Sequence, residues 1–143
     1  MRKRKSAQRG ATIIEFALVT LLLMIVIFAG IEFDRMLLVY TSLADSARAG
    51  VRYAIVHGSD RTGTGDPASG PGNTSYVDAK VRQYASAGTI NTSVSALKVF
   101  VEYPVNNKPG SLVKVTVKYL YDPFVALPLG VNMTSATQGI IVF

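Results

Sequence analysis

The sequence predicts an α+β protein: a long N-terminal helix, transmembrane in its first part and amphipathic in its second, packed on a small antiparallel three-stranded sheet, with a second short helix. Two observations carry this. Residues 11–31 hold a single charge, Glu15, in 21 positions, and the apolar residues that follow recur at helical spacing. Beyond residue 98 the period drops to two, with a turn-rich break between two alternating runs.

The helix comes first. From Ala11 to Ile31, at ~1.5 Å per residue, it is about 31 Å long, which matches a hydrocarbon core of ~30 Å. Arg2, Lys3, Arg4, Lys5 and Arg9 precede it without an acid, whereas Glu32, Asp34 and Arg35 follow it. That asymmetry places the N-terminus in the cytoplasm and the remainder outside. A secretory signal peptide would close on a small-residue cleavage triplet; here Ala29, Gly30 and Ile31 run straight into charges, so the segment is expected to stay attached.

Past Ile31, Met36, Leu37, Tyr40, Leu43, Ala44, Ala47, Val51, Ala54 and Ile55 form an apolar stripe. No proline interrupts residues 11–57, and Gly58 stands where a C-terminal cap belongs. One helix over 11–57 follows, about 70 Å long. Gly30 and Gly50 each weaken it by about 1 kcal/mol relative to Ala, so a bend near either is expected.

The net charge of +6 suggests a nucleic-acid binder until its distribution is read. Five cations lie within residues 1–10, and residues 11–143 hold ten basic and nine acidic groups. The excess is a leader, and no nucleic-acid partner is expected. The chain has no Cys, which removes disulfides, thiolate metal sites and thiol nucleophiles.

Residues 58–73, GSDRTGTGDPASGPGN, read as a loop. Gly63 and Gly65 are followed by Asp66 and Pro67 rather than a helix, so no phosphate cradle forms. Asp60 and Asp66 are too few for a calcium site, which takes about 6 to 8 oxygens. No metal and no cofactor are expected.

Thr74 or Ser75 can cap a short helix running to Ala87 and closed by Gly88, with Val77, Val81, Tyr84 and Ala85 as its apolar stripe. Val99, Val101 and Tyr103 alternate with Lys98, Phe100 and Glu102; after the turn at 106–110, Val113, Val115, Val117, Tyr119 and Tyr121 alternate with Lys114, Thr116 and Lys118. Residues 131–143 read as a third strand, its apolar end 140–143 either a buried strand end or inserted into a neighbour. The meander would bury Val113, Val115, Val117 and Tyr119 beneath Tyr40, Leu43, Ala47 and Val51. The apolar connection Phe124–Leu129 is either tucked against the sheet end or offered to a partner.

Nothing points to an enzyme. His57 is expected to cap the helix or face solvent, and no nucleophile elbow, zinc motif, P-loop or carboxylate pair appears. Asn73, Asn91 and Asn132 match the short glycosylation triplet, which arises by chance in such a chain.

A basic leader ending in Gly10, followed by Ala11 and by Glu15 at the fifth position of an apolar helix, resembles the processing site of type IV prepilin-like proteins. The stretch RGATIIEFALVTLLLMIVIFAGIEFDR, with SARAGVRYAIVHG at 46–58, VKVTVKYLYDPFVALPLG at 113–130 and SAT at 135–137, is similar to TadE-like minor pilins (pseudopilins) of tight-adherence pilus systems. The resemblance implies cleavage between Gly10 and Ala11 by a prepilin peptidase and assembly into an adhesive filament. It further implies other pilins, minor pilins and an inner-membrane assembly platform as partners. Glu15 and Phe16 would be the assembly residues, although major pilins of these systems usually carry Tyr at the second of these positions, and those subunits are little more than the helix. Glu15 would pair with the terminal amine of a neighbouring subunit, which in water-free surroundings offsets a cost of roughly 2.5–3.5 kcal/mol; physically, it can instead snorkel to the interface. The implied divisions are a leader at 1–10, the helix at 11–57 with its span at 11–31, the loop at 58–73, and an outer domain at 74–143 packed on residues 36–57. The alternative function is an uncleaved single-pass envelope scaffold or binding protein.

Overall fold

The computed structural model describes residues 4–61, 65, 67–88, 90–93, 95–123 and 130–143, and the side chains of the helix from Gly10 onward. Helix α1 (Arg4–Val56) is followed by α2 (Ser75–Ala87) and by strands β1 (Leu97–Glu102), β2 (Leu112–Tyr121) and β3 (Val131–Ile140). The strands form one antiparallel sheet in the order β1-β2-β3. The architecture is the predicted α+β one.

Helix α1 starts at Arg4, before the expected Ala11, because residues 4–10 contain no proline and a single glycine adds only about 1 kcal/mol of resistance. Its buried stripe beyond the span is Val39, Leu43, Ser46, Ala47, Gly50, Val51 and Ala54. Leu43, Ala47, Val51 and Ala54 were on the expected stripe. Tyr40 was too, but it is 51% exposed, and Val39 takes its place, since a phase difference of one residue, about 100° around the helix, exchanges the two. Leu37 is likewise exposed. Ser46 hydrogen-bonds the Leu43 carbonyl at 2.8 Å, which satisfies its hydroxyl inside the core.

Gly50 marks the helix crossing. A Cβ there would lie 2.5 Å from Val81 Cγ2, so the missing side chain is what lets α2 approach α1. The helix assignment is unbroken through both Gly30 and Gly50. On α2, Val77, Val81 and Ala85 are buried as expected, whereas Tyr84, placed on the same stripe, is 56% exposed. Arg82 fixes this helix by its bond to Asp78 at 2.8 Å and its donation to the Thr92 carbonyl at 2.7 Å. Thr74 is the N-cap residue but makes no side-chain cap bond.

In the sheet, Val113, Val115 and Val117 are fully buried, Tyr119 is partly buried, and Val99 and Val101 pack beside them. The β2–β3 register is continuous from Leu112↔Ile140 to Tyr121↔Val131. The third strand stops at Ile140 rather than 143; of the terminal four residues only Ile141 is buried, while Ile140, Val142 and Phe143 are exposed. The sheet runs alongside the helix: Tyr121 meets Glu32 at one end, and the Val142 N–H donates to the Ile55 carbonyl at the other. Those helix positions are about 35 Å apart, close to the ~30 Å of a ten-residue strand. The connection Phe124–Leu129 lies outside the described residues.

At the end of α1 farthest from the span, a polar knot ties the loop to the helix. Ser69 donates from N and Oγ to the His57 carbonyl at 2.6 and 3.1 Å, Tyr103 donates to Ser69 Oγ at 2.9 Å, and Asn107 Nδ2 donates to the Ser69 carbonyl at 3.0 Å. His57 is buried and stacks on Tyr53 at 3.8 Å; its Nδ1 donates to the Tyr53 carbonyl at 2.8 Å, so it caps the helix and does not face solvent. Gly58 is not in the left-handed region expected of a glycine cap. Its Cβ would fall on the Phe143 carbonyl, so close approach of the chain end explains the glycine.

Candidate functional site

Among the described residues, α1 is the one helix long and apolar enough to cross a membrane, with a mean hydropathy of 2.7 in its most apolar window and none of that window buried. From Gly10 to Ile31 every side chain is exposed except Thr20, half-covered by its bond to the Phe16 carbonyl at 2.8 Å. An exposed apolar surface of this extent is compatible with contact to lipid or to other helices. Phe16 is 72% exposed. Glu15 has no hydrogen-bond or ion-pair partner among the described residues. Ala11 and Glu15 stand one helical turn apart on one face, and Gly10 and Ala11 lie inside the unbroken helix. Arg4, Lys5 and Arg9 belong to its first turns; Arg2 and Lys3 lie outside the described residues.

Directly beyond the span sits a junction that sequence reasoning missed. The Tyr121 hydroxyl donates to the Glu32 carboxylate, Arg35 approaches the same carboxylate at 3.8 Å, and its guanidinium lies 5.4 Å from the Tyr121 ring centroid. The helix supplies two charges one turn apart, and the strand end supplies the phenol. Burial pushes the Tyr121 hydroxyl up to about 12, with the Glu32 bond acting in the same direction and Arg35 against it. This cluster pins the end of β2 to the helix just beyond the apolar segment. Glu32, Asp34 and Arg35 were legible as a charge boundary, but nothing in the sequence linked them to a residue 89 positions away.

On the other side of α1, Arg48 and Arg52 line an open groove of about 1180 Å³ with Lys80 and Tyr84 of α2 and Thr137 of β3. Arg48 is bridged to Asp45 at 2.9 Å. No cluster of three or more metal-ligating side chains occurs among the described residues.

Residues 10–52 match the family model described as TadE-like protein. The matched stretch runs from Gly10, through the whole apolar run and the Glu32–Arg35 boundary, to one turn before the helix ends. The C-terminal stretches 113–130 and 135–137 lie outside it. No curated protein and no solved structure matches the chain. The TadE-like pilin family is not an enzyme family. Over residues 10–52 the chain is similar to TadE-like proteins, along a helix long and apolar enough to cross a membrane.

Proposed function

We propose that the protein is a minor pilin of a tight-adherence pilus, processed after Gly10 and taking part in assembly of an adhesive filament. The observation that carries this is the division of α1: exposed and apolar through Ile31 around one carboxylate, Glu15, that has no partner among the described residues, then packed under a folded domain from Glu32 onward. A prepilin peptidase would cut the Gly10–Ala11 bond on the cytoplasmic side, where Arg2, Lys3, Arg4, Lys5 and Arg9 hold the leader. The new Ala11 amine then offers a cation at the depth of a neighbour's Glu15. The outer domain faces away from the cytoplasm, and the other partners are pilins and minor pilins of the filament, the inner-membrane assembly platform and lipid. Glu15→Ala tests it: the variant should enter the membrane fraction as wild type does while surface pili are lost, and normal piliation would remove the assembly role.

A second reading, an uncleaved single-pass envelope scaffold or binding protein, is favoured by one observation. The helix runs through Gly10–Ala11 without a break, and a peptidase would have to unwind it there to reach the bond.

A further inference from the structure

The two edges of the sheet are unequal. On β1 the Leu97 N–H is already taken by the Ser93 carbonyl at 2.9 Å, the strand has six residues, and Lys98 and Glu102 stand on it. Strand β3 has ten residues, VNMTSATQGI, with no charge and no proline, and its register with β2 contains no bulge. Charges, prolines, bulges and short length are the devices that keep an edge from pairing with another chain, and β3 has none of them.

The hydrogen-bond phase identifies the open groups. The Ile141 N–H donates to the Ser111 carbonyl, and the Leu120 N–H donates to the Ala96 carbonyl, so odd residues of β2 and β3 face each other and even residues of β2 face β1. Asn132, Thr134, Ala136, Gln138 and Ile140 therefore aim N–H and C=O away from the sheet, and none of them has a further partner among the described residues. A strand laid along this edge would place alternate side chains toward α1, over the groove where Thr137 meets Arg48 and Arg52. Arg48 is already bridged to Asp45, whereas Arg52 has no carboxylate partner among the described residues.

We propose that the free edge of β3 accepts one further strand, an extended segment of a different chain carrying a carboxylate that faces Arg52. A second copy does not fit as an antiparallel partner. Because β3 runs alongside α1, reversing it would turn that copy's apolar helix away from a shared membrane. The added strand contributes main-chain hydrogen bonds along the edge, and the carboxylate sets which segment is chosen.

The test uses the full chain in detergent micelles and two capped decapeptides of alternating Thr and Val, one with a central Glu and one with Lys at that place. Amide exchange is read at Thr134, Ala136 and Gln138. The Glu peptide should slow exchange at these three at least tenfold, and the Lys peptide should need at least tenfold more peptide for the same effect. Ala136→Pro removes an N–H that points away from β2, so it should abolish the protection while leaving the odd amides protected. Arg52→Glu, an exposed change, should invert the preference between the peptides even if the proline variant fails to fold. Unslowed exchange with the Glu peptide, or equal response to both peptides, would overturn the proposal. So would protection that appears without peptide and rises with protein concentration, which assigns the edge to a second copy.

Discussion

The Tyr121 hydroxyl donates to the Glu32 carboxylate across 89 positions of sequence, joining the end of the central strand to the first helical residue past the apolar span. With the Arg35 guanidinium 5.4 Å from the Tyr121 ring centroid, this bond holds the end of β2 against the helix just beyond the apolar run.

Tyr121→Phe keeps the ring under the core but removes the hydroxyl that donates to the Glu32 carboxylate. The loss of a bond to a charged group predicts destabilisation of about 1.5–3 kcal/mol, measured by denaturant unfolding of the full chain in detergent. The phenol also predicts a pH dependence. Its folded value, about 12, is above the ordinary 10, so its contribution is complete below pH 10 and is lost as pH rises toward 12. Wild type should lose stability over that window more steeply than Tyr121→Phe; parallel curves would contradict the buried, neutral phenol.

Gly50→Ala adds a methyl 2.5 Å from Val81 Cγ2 and 3.4 Å from Val115 Cγ1. Helix propensity favours Ala by about 1 kcal/mol, but overpacking of a closed core costs about 1–3 kcal/mol. A lower Tm is expected. Gly30→Ala meets nothing within 4 Å and should leave the Tm of the detergent-solubilised monomer unchanged or higher.

Ser69→Ala removes the acceptor for the partly buried Tyr103 hydroxyl and one of the two donors to the His57 carbonyl. An unsatisfied buried hydroxyl costs about 1–3 kcal/mol. Limited proteolysis should cut within 58–73 several-fold faster than in wild type, and Tyr103→Phe, which removes the donor as well, should restore part of the resistance in the double variant. Equal cleavage rates for Ser69→Ala and wild type would show that the knot does not hold the loop.

The elements were legible because each carries its own periodicity: an apolar run for the span, a 3.6-residue stripe for the rest of α1, and strict alternation for β1 and β2. What one period cannot resolve is phase and range. Tyr40 and Val39 are sequence neighbours about 100° apart around the helix, one at each side of the apolar stripe, and only the packing decides which is buried. Tyr84 has the right spacing on α2, yet that helix is covered along a narrow face by Gly50 and its neighbours. Gly58 looked like a conformational cap, whereas its reason is a chain end that arrives from Phe143. The Glu15 position was visible as a lone charge in apolar sequence; the Glu32–Tyr121 junction and the Ser69 knot were not, because their partners are far apart in sequence.

Processing after Gly10 is read from the intact mass of the protein in native membranes of a strain with active prepilin peptidase. The expected species begins at Ala11, stripped of Arg2, Lys3, Arg4, Lys5 and Arg9, and the full-length mass returns when the peptidase is inactivated. A chain that still begins at Met1 while the peptidase is active would contradict it.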